Sequence, residues 1–126
     1  MERITEATEN YLETILILSR QMPEVHAIDV CTELGYARPT VSVFLKGLRE
    51  KGLIEVDNSN HLWLTEQGQE IAERIYERHN TLLHLLEHLG VSAEIAAEDA
   101  CKIEHDISDA TFQSIRDYLS RLPENQ

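Results

Sequence analysis

Leu34-Gly35-Tyr36-Ala37-Arg38-Pro39-Thr40-Val41-Ser42 decides the fold. It joins two short stretches of helical periodicity. Gly35 suits the left-handed conformation of a tight turn, and Pro39 fits the first turn of the helix that follows. Upstream, residues 26–33 read as a short helix burying Ile28 and Cys31. Downstream, residues 38–51 read as a longer one with Val41, Leu45 and Leu48 inward, ended by Gly52. Two helices across such a turn form a helix-turn-helix, whose second helix enters the DNA major groove. Ala37 is a poor N-cap where serine would serve better, so the start of that helix is less firmly set.

The flanking sequence completes a winged head. Residues 4–21 carry Tyr11, Leu12, Ile15 and Leu18 at helical spacing, and Gln21-Met22-Pro23 ends the run. Ile54-Glu55-Val56 and His61-Leu62-Trp63-Leu64 read as a hairpin around the polar turn Asp57-Asn58-Ser59-Asn60. Trp63 is expected to pack in the core of the head. Thr65 caps a long helix to about Leu89, closed by Gly90, with Ile71, Ile75, Leu82, Leu86 and Leu89 as its buried stripe. Ser92 caps a helix to about Asp106, and Ser108 one to about Leu122. The expectation is a mainly α chain. Residues 1–70 form a winged helix-turn-helix DNA-binding domain, and residues 71–126 an all-helical metal-binding and dimerisation module.

The net charge is −12, which by itself opposes a nucleic-acid partner. Its distribution matters more than its sum. Residues 37–52 hold Arg38, Lys46, Arg49 and Lys51 against Glu50, a local +3, whereas residues 61–126 hold 13 acids and 5 Lys/Arg. A basic segment beside an acidic one allows one part to meet DNA and another to hold cations, although a solvated acidic surface reads the same way. No apolar run approaches membrane-spanning length, and Met1-Glu2-Arg3-Ile4 lacks a signal-peptide pattern. Cys31 and Cys101 lie far apart and imply no disulfide framework, which fits a reducing cytoplasm.

The N-terminal end of the second helix offers Arg38, Pro39, Thr40, Ser42 and Val43 to DNA, with Lys46 and Arg49 further along for phosphates. Thr40 and Ser42 can bond bases or phosphates, and Val43 can touch a thymine methyl. The same pattern also serves protein contacts. Further on, Cys101, Glu104 and His105 fall at i, i+3 and i+4 and share one helix face. They are expected to lie beside the apolar stripe of Ala96, Ala100, Ile103 and Ile107. Thiolate, carboxylate and imidazole suit a first-row transition metal better than magnesium or calcium. Asn10 and Glu13 share a face of the first helix, and His79 sits at the edge of the long helix's stripe, where a structural histidine is equally at home. His84 and His88 point to the opposite side, towards solvent. No separate general base accompanies these groups, which argues against an enzyme using metal-bound water.

Glu9-Asn10-Tyr11-Leu12-Glu13-Thr14-Ile15, the helix-turn-helix stretch, Leu64-Thr65-Glu66-Gln67-Gly68, Arg78-His79, Leu89-Gly90-Val91 and the run from Asp99 to Ser108 together resemble the diphtheria-toxin-repressor family, which includes the manganese transport regulators. The resemblance covers nearly the whole chain. It implies a cytoplasmic homodimer that represses transcription at palindromic double-stranded DNA operators of metal-homeostasis genes, with Fe²⁺ or Mn²⁺ as corepressor and no membrane partner. It implies a metal-ligand set of Asn10, Glu13, His79, Cys101, Glu104 and His105. Asn10 departs from the aspartate of the manganese type and the methionine of the iron type. Cys101 matches the iron type, and Leu83 and Ala97 replace further iron-type ligands. The length to Gln126 matches the short form without a C-terminal SH3-like domain. Iron is slightly favoured and manganese is the alternative. The rival reading is a winged-helix regulator answering to a non-metal effector.

Overall fold

A computed structural model describes residues 4–123. The expected outer bounds at residues 1 and 126, and most of the Met1-Glu2-Arg3-Ile4 start, lie outside the described residues. The chain divides into two compact units, Met1–Glu73 and Arg74–Gln126. In the first, α1 (Glu6–Gln21), β1 (Val25–His26), α2 (Ala27–Leu34), α3 (Arg38–Glu50), β2 (Ile54–Val56) and β3 (His61–Leu64) follow in order. α4 (Glu66–His88) starts in the first unit and runs into the second, where α5 (Ala93–Ile103) and α6 (Asp109–Ser120) follow. No described helix is long and apolar enough to cross a membrane.

Local chemistry sets these boundaries. Thr5, Ser92 and Ser108 are N-caps whose hydroxyls accept the amides of Thr8, Ile95 and Thr111, satisfying donors that have no partner within the helix. α2 ends at Gly35 with φ 74°, and Gly52 and Gly90 also lie at positive φ, where a side chain would be strained. Ala37 is the N-cap of α3 and makes no side-chain cap bond. Pro39 in the first turn, with its φ already fixed, starts the helix instead.

The head core is built from Leu12, Ile15 and Leu16 of α1, Val30 of α2, Val41 and Leu48 of α3, and Leu53 and Ile54, all 1% exposed or less. Tyr11 stacks on Phe44 with ring centroids 4.1 Å apart, fixing α3 against α1, and burial pushes the Tyr11 hydroxyl pKa up. In the second unit, Ile75 and Leu82 of α4, Ala96 and Ala100 of α5 and Phe112 of α6 are buried.

Several expectations need correction. The sheet has three strands, in the order β1-β3-β2, because Val25 and His26 pair with Leu62 and His61. Trp63 is not a core residue: it is 39% exposed, and its indole N–H donates to Glu55 Oε2 at 2.9 Å. Glu55 and Trp63 are cross-strand partners, and alternation along β3 turns Leu62 inward and Trp63 outward. Ile28 is 54% exposed, and α2 buries Ala27, Val30 and Cys31. Leu89 is 68% exposed and Leu86 half-buried, so the buried stripe of α4 fades towards its end. α5 stops at Ile103 rather than Asp106, the chain continuing in a tighter turn in which Asp106 N–H donates to Ile103 O.

The wing is tied at both ends. Asp57 accepts amides from Ser59 at 2.8 Å and His61 at 2.9 Å, and the His61 amide above all holds its carboxyl below the usual range. At the other end, Thr65 Oγ1 donates to Gly52 O and accepts from Gly68 N–H, while Thr65 N–H donates to Leu53 O. Gly68 lies against that same Leu53 carbonyl, where a Cβ would collide with backbone. Alanine normally gains up to about 1 kcal/mol over glycine in a helix, but overpacking costs roughly 1–3 kcal/mol. Gly68→Ala is therefore expected to lower stability by about 1–2 kcal/mol. Urea unfolding would show this as a lower midpoint at unchanged slope, and a raised midpoint would contradict the packing.

Candidate metal centre and nucleic-acid interface

In the second unit, α4 supplies His79, α5 supplies Cys101, and the residue capping α5 is Glu104. One ligand atom from each lies within 4.8 Å of the others, the one such group of three found among the described residues. Glu104 is fully buried, at 0% exposure. The expectation that the ligand face lies beside the packing face is corrected for this residue. Glu104 caps α5 with helical backbone angles, its N–H donating to Ala100 O, so it lies four residues on from buried Ala100 and eight from Ala96, on the packing face itself.

The two oxygens of Glu104 are treated differently. Oε2 meets His79 Nδ1 at 2.9 Å. Oε1 receives no hydrogen bond. His105 Nε2 stands 3.4 Å from Oε1, an ion-pair distance if the ring is protonated but outside hydrogen-bond geometry. Burying a carboxylate without full pairing costs several kcal/mol. A ring donating from Nδ1 keeps its lone pair on Nε2. Thiol, imidazole and carboxylate around one partly unsatisfied oxygen match the donor chemistry of a first-row divalent ion. Cys101 is exposed, His79 half-buried, and the His105 side chain 3% exposed.

The remaining ligand candidates, Asn10 and Glu13, lie on α1 in the first unit. Asn10 is half-buried, lining a cleft with Tyr11, Tyr36 and Phe44, and Glu13 is 7% exposed. His84 is exposed and His88 half-buried.

Sequence reasoning missed the role of Arg78, although it quoted the residue. It is 9% exposed and grips the segment after α5: Nη1 donates to Glu104 O at 3.1 Å and Ile107 O at 3.0 Å, and Nη2 to Asp109 Oδ1. The signal was present. Ile71, Ile75, Arg78 and Leu82 follow helical spacing, which places a cation inside an apolar stripe.

In the first unit, Arg38, Pro39, Thr40, Ser42, Val43, Lys46 and Arg49 are all exposed on α3, Val43 at 74%. Arg38, Ser42, Lys46 and Arg49 form one wall of a cleft of about 180 Å³, with Val56, Asn60 and Leu62 of the hairpin among its other lining residues. A cationic helix face beside a hairpin offers phosphate oxygens several donors at once.

Residues 3–62 match the model described as iron dependent repressor, N-terminal DNA binding domain, and residues 65–126 that described as iron dependent repressor, metal binding and dimerisation domain. The transcriptional regulator MntR of Escherichia coli is 38% identical over 111 residues, covering 88% of this chain and 72% of the relative. The iron-dependent repressor IdeR of Mycobacterium tuberculosis is 30% identical over 110 residues, covering 86% of this chain but 48% of its own length. The solved structure of the manganese regulator SloR superposes with a TM-score of 0.78 at 27% identity, over 91% of this chain and 54% of that one. The chain thus spans about half the length of IdeR and SloR.

Replacing Glu104 by glutamine removes the buried charge and keeps the shape. The metal-free protein is expected to melt at a higher temperature than wild type, while the gain in melting temperature on adding Co²⁺ is lost. Calorimetry with and without Co²⁺ checks both, and an undiminished Co²⁺-dependent gain would remove Glu104 from the centre.

Proposed function

Because the chain belongs to the iron-dependent repressor family of metal-dependent transcriptional regulators, we propose that it is a homodimeric repressor whose α3 helices bind palindromic operators of metal-homeostasis genes when a divalent ion occupies the Glu104 centre. One observation carries the metal dependence. A fully buried carboxylate has an oxygen without a hydrogen bond, next to an imidazole and a thiol. A bound divalent ion would supply the positive charge that this oxygen lacks. His79, Cys101, Glu104 and His105 are the proposed ligands in the second unit. The family resemblance adds Asn10 and Glu13.

The chain's own groups perform the rest. Tyr11 and Phe44 set the pitch of α3. Arg38, Lys46 and Arg49 engage phosphates, and Thr40, Ser42 and Val43 face base edges in this reading. Metal selects the DNA-competent population in proportion to its preference for that state. With the DNA comes a cytoplasmic location. SloR carries a manganese assignment and IdeR an iron one. The proposal favours iron slightly, on the strength of the Cys101 thiol, because thiolate is a softer ligand than carboxylate.

Electrophoretic or fluorescence titration with operator fragments tests the function. Binding is expected to require metal and to weaken steeply with salt. Lys46→Ala and Arg49→Ala should each reduce the salt slope by about one, while changes at Thr40, Ser42 or Val43 alter base preference. Equal affinity with and without metal would sink the repressor mechanism. For metal identity, Co²⁺ bound through Cys101 should give a strong near-ultraviolet charge-transfer band that Cys101→Ala removes. Cys101→Glu should shift the response towards Mn²⁺. Stoichiometric Co²⁺ binding without that band would exclude a sulfur ligand and with it the preference for iron.

A further inference from the structure

We propose that Arg78 is the positioning residue of the metal centre, holding Glu104 through the main chain and joining it to the first turn of α6. This rests on the Glu104 centre of the preceding subsection.

The last carbonyls of any α-helix lack partners within the helix. At the end of α5, the carbonyl of Glu104 itself accepts from Arg78 Nη1, and the same nitrogen also reaches Ile107 O. Nη2 bonds Asp109, the first residue of α6, and the guanidinium carbon sits 5.3 Å from the centre of the Phe112 ring. One planar cation therefore fixes three points between Glu104 and Asp109. On α4, Arg78 is the immediate neighbour of His79, whose Nδ1 meets Glu104 Oε2. Two adjacent α4 residues thus hold Glu104 from both sides, one by its carboxylate and one by its backbone.

A strut serving only to pack α4 on α6 would need Asp109 and Phe112 alone. The bonds to Glu104 O and Ile107 O instead fix the turn that begins at a ligand residue, and so hold the end of α5 on which that ligand sits. Arginine suits this because its fork donates in several fixed directions, whereas lysine offers a point charge on a flexible stem. Arg78 has no direct bond to the ligand atoms. It acts by keeping the C-terminal end of α5, which carries Glu104, from fraying, and this sets how well the ligand group is organised before metal arrives.

The test uses the full chain with Arg78→Met and Arg78→Lys, titrated with Co²⁺ alone by competition against a chelator. Helix content and amide exchange are measured on the metal-free protein. Arg78→Met is expected to weaken Co²⁺ binding roughly tenfold or more, to shift the visible ligand-field bands, and to speed exchange at the amides of Glu104 and Asp106 with helix content kept. Arg78→Lys should fall between this and wild type. A folded Arg78→Met that binds Co²⁺ as tightly as wild type, with the same bands, overturns the proposal. Should Arg78→Met fail to fold, Asp109→Ala decides. Its side chain is 87% exposed, and its loss should weaken binding and shift the bands in the same direction, while no change in either overturns the proposal. Failure of the wild-type chain to bind Co²⁺ at all would instead defeat the metal-centre reading on which this rests.

Discussion

The second unit is organised around one buried oxygen that has no hydrogen bond. Glu104 Oε1 is sealed from water and accepts no hydrogen bond, with His105 Nε2 3.4 Å away, while Oε2 meets His79 Nδ1 and the main-chain oxygen accepts from Arg78. A buried carboxylate in this state opposes folding. The chain tolerates it because the neighbouring groups are held by ordinary forces: Ala96 and Ala100 let α5 pack closely, Phe112 underpins Arg78, and Ser108 starts α6 at the right residue. Stability is thereby given up at one point, and a cation is the natural compensation. Functional sites recurrently break local rules in this way.

Most helix boundaries were legible because they are written in single residues. Serine, threonine and glycine each solve one capping problem, and Thr65, Ser92, Ser108, Gly35, Gly52 and Gly90 stand where such problems arise, whereas the Thr5 cap was passed over and the first helix begun at residue 4. The hairpin was legible for the same reason, since Asp57 and the residues after it form its turn. β1 was not, because two residues show no periodicity and the strand exists only through its partner β3. Trp63 was misplaced by letting its size outweigh the alternation of β3. Ile28 was misplaced because an eight-residue helix has too few turns to fix the phase of its apolar face.

The metal candidates were legible as a spacing and opaque as an environment. Positions i, i+3 and i+4 bring Cys101, Glu104 and His105 to one side, but Glu104 also stands four residues on from buried Ala100, so the ligand face and the packing face overlap at this one residue. Leu89 is instructive for another reason. Its apolar character was read as core, yet 68% of it is exposed in a single chain, as are halves of Ile95 and Tyr118. Exposed apolar side chains in a unit that matches a dimerisation domain are the surfaces a partner would cover.

The distribution of charge has a kinetic side. Between Gly52 and Arg74 there is no lysine or arginine, and the wing carries Glu55 and Asp57. Outside α3 and its flanks the sequence carries a large excess of acids, which disfavours contact of those segments with a polyanion. Sequence-independent adhesion to chromosomal DNA is then weak, because it grows with the number of phosphates neutralised. Each wrong encounter is brief, and little of a small pool of molecules is held idle along the genome. A regulator with this charge pattern would exchange quickly between DNA sites, because few phosphates hold it at any wrong one.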